Sequence, residues 1–214
     1  MSSGSAFNGQ INFLKNHFEV YAPDLTGFGT NPYMPYPYSL DDYVESVREY
    51  TYKKGIKNPH VIAHSFGARI VIKLASASPT FFDKIVLTGG AGLKPKPTLK
   101  RSIKRLAFNF LKRFVDKQKL KNFYSSEYNA LSPVMQQSFI KIVNEHLDHL
   151  APLIQNKTLL IYGQRDLETP LYMAKKLNAY IKNSRLVTYQ QAGHFAFIDC
   201  PLKFNLEVRE FLLS

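Results

Sequence analysis

Ser65 stands in the stretch Ala63-His64-Ser65-Phe66-Gly67, where a short apolar run meets the start of a helical pattern. Nucleophilic catalysis by serine needs an exposed hydroxyl, a base within hydrogen-bond reach and N–H groups directed at the developing oxyanion. A tight turn from a strand into a helix exposes the hydroxyl, and the first N–H groups of the helix supply donors. Such a turn also needs small residues two positions before and after the serine, as Ala63 and Gly67 are. The stretch therefore predicts a serine nucleophile with the Phe66 N–H as oxyanion donor, and a plain helix N-cap is the structural alternative.

A carboxylate and an imidazole follow two later apolar runs. Asp166 comes shortly after the run that ends at Gly163, and His194 follows the last apolar run. The carboxyl ends of parallel strands meet at one edge of a sheet, where ligands of open α/β folds bind. The chain order Ser65, Asp166, His194 is the order of serine, acid and histidine in hydrolases with a nucleophile elbow. Together the three predict a catalytic triad; taken singly, a helix-capping Asp166 and a turn-forming His194 are the alternatives.

Strand-like and helix-like patterns alternate along most of the chain. Short runs rich in Val, Ile, Leu and Tyr lack the alternation of half-exposed strands, and they predict buried parallel strands at 18–25, 60–64, 84–89, 158–163 and 185–190. Helical patterns lie between them, at 6–15, 40–54, 67–77, 171–182 and 202–212. This order predicts an α/β fold with a mostly parallel sheet flanked by helices.

Residues 93–155 interrupt the alternation. They contain no strand-like run, and prolines stand near both ends of the interval. Helical stretches are expected at 102–114, 117–123 and 133–147. We therefore expect an all-helical cap at 93–155, inserted into a core formed by 1–92 and 156–214. The expected wall of a substrate pocket consists of His64, Phe108, Phe110, Leu111, Phe114 and Phe195.

The 214 residues carry a formal net charge of +12, and the positive charge is concentrated in one stretch. Eleven Lys or Arg residues and one acidic residue fall between Lys94 and Lys121. A solvated basic helix face accounts for this stretch, while a weak contact with an anionic surface stays open. The stretch lacks a recognised nucleic-acid-binding motif, so no nucleic-acid partner is expected. A homo-oligomer also stays open.

The residue types that bind metals are sparse. Cys200 is the single cysteine, which excludes an internal disulfide and a thiolate metal cluster and favours a reducing compartment. His146 and His149 share a helix face, but they lack a third ligand and the His-Glu-x-x-His pattern, so no metal is expected.

The N-terminus carries no secretory signal, and no run reaches the ~18 apolar residues of a membrane span. These observations favour a cytoplasmic location.

The motifs give the sequence a resemblance to the α/β-hydrolase superfamily over essentially its whole length. Residues 22–29 resemble the family's loop after an early strand, and the interval 93–155 falls where the family carries its cap. The resemblance is closest to small soluble esterases, C–C-bond hydrolases and lactonases. The serine argues against members similar to dehalogenases and epoxide hydrolases, which use an aspartate at that position.

The resemblance implies a role for each member of the triad. Ser65 is the expected nucleophile, His194 the general base and then acid, and Asp166 the residue that orients the imidazole. The implied activity is that of a serine hydrolase acting through an acyl-enzyme on a carboxylic ester, thioester, lactone or related acyl or C–C substrate. Water is the implied second substrate, and no cofactor is implied.

The N-terminus departs from the family's pattern. Family members usually begin with a β-hairpin and a third strand that runs into a His-Gly loop, whose backbone supplies the second oxyanion donor. The chain begins at Met1 with a segment that resembles the tail of that loop, which suggests an N-terminally truncated form of the fold. Three outcomes are open: the natural start lies upstream, which we favour; the strands at 18–25 and 60–64 pair directly; or another chain fills the place.

This departure bears on the oxyanion site and on the function. The Phe66 N–H is the one assured donor, and the N–H groups of Ser2 and Ser3 are the substitutes for the second. A non-catalytic or impaired hydrolase-fold binding protein is therefore the alternative to an active hydrolase.

Overall fold

A four-stranded parallel sheet forms the centre of the protein, in a computed structural model that describes residues 3–97 and 126–214. The strands lie in the order β1, β2, β3, β4, with the bounds Val61–His64, Ile85–Thr88, Thr158–Gly163 and Ser184–Tyr189. Each neighbouring pair is parallel. The strands predicted at 60–64, 84–89, 158–163 and 185–190 are confirmed to within one residue at each end.

Helices pack against both faces of this sheet. In chain order they are α1 (Asn8–Leu14), α2 (Leu40–Lys53), α3 (Phe66–Ala77), α4 (Ser126–Asn129), α5 (Pro133–Asn144), α6 (Leu171–Tyr180), α7 (Ala196–Asp199) and α8 (Pro201–Leu213). Short 3₁₀ turns precede α1 at Gly4–Phe7 and β3 at Ala151–Leu153. The helices predicted at 40–54, 67–77, 171–182 and 202–212 are confirmed to within two residues at each end, and the one at 6–15 begins as the 3₁₀ turn.

The two central strands distribute their side chains between two apolar clusters. Leu87 and Leu160 join the cluster that includes side chains of α2, α3 and α6. Val86 and Leu159 point the other way, into the cluster that includes side chains of α1 and α8. Because both faces are covered, residues 85–87 of β2 and 159–162 of β3 are apolar without alternation, which is the pattern that predicted the strands.

The segment 18–25 is not a strand, so the prediction of one there is wrong. Within the described residues β1 pairs with β2 alone, and the direct pairing of 18–25 with 60–64 does not form. An extended segment becomes a strand only when a neighbour exchanges backbone hydrogen bonds with it, and none of the described residues offers 18–25 such a neighbour. A loop forms instead, in which the Asp24 carboxylate accepts from the N–H groups of Gly4 (2.7 Å) and Thr30 (2.8 Å).

The described elements between 93 and 155 are helical. α5 ends at Asn144, earlier than the predicted 133–147, because Glu145 adopts an extended conformation. Arg69 of α3 donates to the carbonyls of Ile142 (2.9 Å) and Glu145 (2.9 Å) and so completes this helix end. The helices predicted at 102–114 and 117–123 lie outside the described residues, and the division into core and cap stays a prediction. No helix in the described ranges is long and apolar enough to span a membrane.

Candidate active site

Ser65 occupies a strained turn between β1 and α3. Its φ is 46° and its ψ is −106°, a backbone conformation that side-chain-bearing residues rarely adopt. The turn is held by hydrogen bonds from the Ser65 N–H to the Thr88 carbonyl (3.2 Å) and from the Ala91 N–H to the Ser65 carbonyl (3.2 Å). Strain of this kind costs about 1–3 kcal/mol and persists where the surroundings fix it, typically at functional sites.

The turn brings small residues together, as the sequence predicts. A Cβ placed on Gly67 would lie 3.6 Å from the Cβ of Ala63, in van der Waals contact, so the two positions face each other across the turn. The Ser65 side chain makes no capping hydrogen bond to α3, and the alternative of a plain helix N-cap is therefore wrong. The hydroxyl is therefore not engaged by the helix that follows it.

The N-terminus of α3 begins directly after Ser65. Phe66 is its first residue, so its N–H is one of the donors that an α-helix leaves without an internal acceptor. The dipole of the helix adds partial positive charge at this end. Of the substitutes for the second donor, Ser2 lies outside the described residues, and the Ser3 side chain bonds to the Ser5 hydroxyl (2.6 Å), a contact that does not involve the Ser3 N–H. The roles of Phe66, Ser2 and Ser3 as oxyanion donors stay predictions.

Asp166 and His194 meet at the carboxyl edge of the sheet. The Nδ1 of His194 lies 2.9 Å from Oδ2 of Asp166, and both side chains are buried. Thr169 donates its hydroxyl to the same Oδ2 (2.7 Å) and its N–H to Oδ1 (2.8 Å). Because a carboxylate accepts and does not donate, Nδ1 carries the proton and Nε2 is the atom left for a reaction.

The Asp166 carboxyl is kept ionised by its neighbours. Burial by itself raises the pKa of this group, but the hydrogen bonds from His194 and Thr169 favour the carboxylate more strongly. The net effect lowers the pKa of Asp166 below its usual value of 3.8. An ionised acid behind Nδ1 is what stabilises an imidazolium during general base catalysis.

The other nitrogen of His194 faces a second carboxylate. Its Nε2 lies 3.3 Å from Oε2 of Glu168, whose side chain is largely exposed. None of the hydrogen bonds made by the described residues joins the Ser65 hydroxyl to this ring. The structure thus brings Asp166 and His194 together, with Nε2 directed to Glu168.

His64 and Phe195 pack around the imidazole. The ring centroid of His64 lies 4.6 Å from that of His194 and 4.9 Å from that of Phe195. His64 Nδ1 is 3.0 Å from the Thr88 carbonyl, which fixes the tautomer with a proton on Nδ1. Burial and the nearby His194 lower the pKa of His64 to about 4, so this ring is neutral at neutral pH.

Two predicted pocket residues, His64 and Phe195, therefore border the imidazole. The other four, Phe108, Phe110, Leu111 and Phe114, lie outside the described residues.

The loop that carries His194 is fixed by backbone contacts. A Cβ on Gly163, at the end of β3, would overlap the carbonyl oxygens of Ala192 and Gly193. The Gly193 N–H donates to the Asp199 carboxylate at 2.7 Å. A glycine at 163 is therefore required for the loop that carries His194 to pack against β3.

Sequence reasoning misses Thr169 and Glu168. Both follow Asp166 within three positions, and their N–H groups donate to its Oδ1 at 2.8 Å and 2.9 Å. Such turns, in which an aspartate accepts from the backbone just ahead of it, are a recognisable use of Asp. This signal identifies Thr169 as a partner of Asp166, whereas the direction of the exposed Glu168 side chain leaves no trace in the local pattern.

Clusters of metal-ligating residues are missing from the described part of the chain. No group of three or more His, Cys, Asp or Glu side chains there is arranged to hold a metal ion. His146 and His149 belong to no such group.

The chain is similar in sequence and in structure to known hydrolases. The model of the alpha/beta hydrolase family matches residues 2–207. A 2-hydroxymuconate semialdehyde hydrolase of Pseudomonas putida is 28% identical over 220 residues, which cover 90% of this chain and 76% of the relative. An uncharacterized hydrolase of Bacillus subtilis is 23% identical over 241 residues, covering 99% of this chain and 86% of the relative. The structure of an esterase from Exiguobacterium antarcticum is similar with a TM-score of 0.79 at 21% identity, over 100% of this chain and 88% of its own.

Proposed function

The chain belongs to the alpha/beta hydrolase family and is an enzyme of that type, and on this basis we propose that it is a serine hydrolase with Ser65, His194 and Asp166 as its catalytic triad. The proposed substrate is a carboxylic ester, thioester, lactone or related acyl or C–C compound. One observation carries the proposal. A buried carboxylate–imidazole pair lies at the same sheet edge as a serine whose backbone is strained and whose side chain makes no capping hydrogen bond.

The proposed reaction proceeds through an acyl-enzyme. Ser65 Oγ attacks the carbonyl carbon while Nε2 of His194 takes the hydroxyl proton, and the resulting imidazolium is stabilised by Asp166. The N–H of Phe66 donates to the carbonyl oxygen as it becomes negative. The imidazolium then returns its proton to the leaving group, and the C–O, C–S or C–C bond to that group breaks. Water repeats the sequence on the acyl-enzyme, releases the acid and restores Ser65.

The relatives support this range of substrates. One is named a 2-hydroxymuconate semialdehyde hydrolase, one structural neighbour an esterase and another, from Burkholderia xenovorans, an enol-lactonase. Each of these names denotes a hydrolytic reaction. Activated esters of short acids are therefore suitable first probes.

Turnover of p-nitrophenyl acetate tests the proposal. We expect release of p-nitrophenol by the wild-type chain and loss of at least about a thousand-fold in kcat for Ser65→Ala and for His194→Gln. A matched Ser76→Ala variant, altered on the same helix α3 away from the site, keeps the wild-type rate. Equal rates for the wild type and Ser65→Ala would contradict the proposal and favour a hydrolase-fold binding protein.

A further inference from the structure

The last helix, α8, carries an exposed row of leucines. Leu202, Leu206 and Leu213 are 66%, 40% and 60% exposed. The opposite side of the helix is buried against the core, through Phe204, Val208 and Leu212. Residues spaced in this way along a helix are neighbours on its surface, so the leucines form one apolar patch and not three separate side chains. Such patches on a folded chain mark interaction surfaces.

The spacing of the row is the spacing of a helix–helix interface. Together with Arg209, the leucines follow one another in steps of four, three and four residues, which is the a/d pattern of a coiled-coil seam. The guanidinium of Arg209 lies over the ring of Phe13 in α1, 5.6 Å from its centroid. A shallow groove on this side of α8 is lined by Leu206, Arg209, Glu210, Leu213 and Ser214. We call the row Leu202, Leu206, Arg209 and Leu213 the α8 seam.

We propose that the α8 seam is the interface of a homodimer, in which α8 packs antiparallel against α8 of a second copy. A two-fold axis between positions 206 and 209 places Leu202 beside Leu213 of the second copy and Leu206 beside the stem of Arg209. The same contacts then occur twice. The proposal concerns assembly and is independent of the proposed catalysis.

The charges beside the seam complement one another in this arrangement. Lys203 and Glu210 are exposed and border the seam on its solvent side. In the antiparallel pair, each Lys203 comes next to Glu210 of the second copy, and the two-fold axis repeats the contact. In the single chain the ammonium of Lys203 lies over the ring of Tyr189 at 4.6 Å, and a change of rotamer brings this exposed side chain to the new carboxylate.

The balance of charge on α8 also favours a second copy over a membrane surface. The helix carries two basic and two acidic residues, Lys203, Arg209, Glu207 and Glu210. A helix that binds an anionic membrane is instead rich in Lys and Arg on its polar face. Glu207 is already paired with Arg185 of β4 at 2.6 Å. The charges that remain beside the seam are thus one of each sign, which match those of another α8.

The end of α8 is held in place for such a contact. Lys84 is 8% exposed, and its ammonium donates to the carbonyls of Phe211 (3.2 Å) and Leu212 (3.0 Å) and to that of Ser214. These carbonyls belong to the last turn, which an isolated helix leaves without partners. Leu213 therefore projects from a fixed turn, and little conformational entropy is lost when a second copy packs against it.

Sedimentation velocity of the full chain over about a hundred-fold range of concentration tests the interface. One helix pair is smaller than a standard interface, so we expect a weak dimer whose fraction rises with concentration. Leu206→Lys places an unpaired charge in the seam and is expected to weaken the dimer at least about ten-fold. Leu202→Lys, at a more exposed position, has the same effect and replaces it if Leu206→Lys does not fold. Leu153→Lys, at an exposed leucine outside α8, leaves the dimer unchanged. A wild-type chain that stays monomeric, or a dimer that survives both seam variants, overturns the proposal.

Charge exchange tests the antiparallel arrangement itself. Lys203→Glu and Glu210→Lys each place like charges side by side twice, so each variant alone is expected to dimerise about four-fold more weakly or worse. An equimolar mixture of the two variants restores both opposite-charge contacts in a mixed dimer, and its affinity is expected to return to that of the wild type. A mixture no more dimeric than the separate variants overturns the proposed arrangement.

Discussion

The hydroxyl of Thr169 and the imidazole of His194 both donate to one carboxylate oxygen, Oδ2 of Asp166, at 2.7 Å and 2.9 Å. This shared acceptor links the stability of the loop after β3 to the state of the proposed catalytic pair. Replacing the hydroxyl by a methyl group in Thr169→Val removes a hydrogen bond to a charged, buried acceptor. We expect the free energy of unfolding at pH 7, measured in urea, to fall by about 1.5–3 kcal/mol.

Thr169→Ser is the matched control, because it keeps the hydroxyl and loses only a methyl group. The lowered pKa of Asp166 contributes stability above the usual value of 3.8, and that contribution is lost as the pH falls through the folded-state value. The contribution is smaller in Thr169→Val than in Thr169→Ser. Equal stabilities of the two variants at pH 7 would show that the hydroxyl does not support Asp166.

A methyl group at position 163 is expected to displace the loop that carries His194. The added Cβ of Gly163→Ala overlaps the carbonyl oxygens of Ala192 and Gly193, which are backbone atoms and cannot move away by a change of rotamer. Urea unfolding is expected to show a loss of about 1–3 kcal/mol or more, as for other overpacked sites. The rate of fluorophosphonate labelling per folded molecule is also expected to fall, because the loop carries His194.

Gly9→Ala provides the comparison. A Cβ at Gly9 meets nothing within 4 Å, and the residue lies in α1, so alanine is expected to stabilise the protein by roughly 0.5–1 kcal/mol. A Gly163→Ala protein as stable and as reactive as Gly9→Ala would rule out the close packing of β3 against the loop.

His64 is expected to make the protein less stable in mild acid. The unfolded chain protonates this ring as the pH falls through 6.5, while the buried ring in the folded protein stays neutral until about pH 4. The free energy of unfolding therefore falls by about 3 kcal/mol between these pH values on account of this residue. Urea unfolding of His64→Gln at several pH values is expected to show a correspondingly shallower decline.

His17→Gln removes an exposed histidine and serves as the control for that series. If the decline of His64→Gln between pH 6.5 and 4 is as steep as that of the wild type, the ring is not held neutral in the folded protein.

Arg69 is expected to stabilise the packing of α5 against α3. Its side chain is 9% exposed and donates to two carbonyls at the end of α5. Arg69→Met keeps much of the side-chain volume and leaves these carbonyls without the charged donor, so the free energy of unfolding falls by about 1.5–3 kcal/mol. Amide exchange in Pro133–Asn144 becomes faster at the same time. Arg165→Met, at an exposed position, is expected to change neither the free energy of unfolding nor the rate of amide exchange. If Arg69→Met behaves like Arg165→Met, Arg69 does not stabilise the packing of α5 against α3.

The sequence predicts the centre of the fold better than its edge. The run at 158–163 is apolar at 159–162, on both faces of the sheet, so its pattern identifies β3 with both ends correct. The segment 18–25 carries similar residue types, yet it forms no strand, because a strand depends on a neighbour that the local sequence does not encode. The helix at 133–147 ends early for a comparable reason, since the distant Arg69 completes it.

The same distinction applies to the site. The strained turn at Ser65 follows from the small residues around it, and the contact between Asp166 and His194 follows from their positions after parallel strands. The contact between Glu168 and the His194 ring is found only from the structure, because it depends on the direction of one exposed side chain. The desolvation of His64 likewise depends on rings that are distant in the sequence.

Peptide mapping by mass spectrometry after reaction with a fluorophosphonate tests the central claim, an activated serine at position 65, most directly. The account predicts a single phosphonylated residue, Ser65, in the wild-type chain, no adduct in Ser65→Ala, and labelling slowed by at least about a thousand-fold in His194→Gln. An unlabelled wild-type chain, or an adduct that persists in Ser65→Ala, would contradict it.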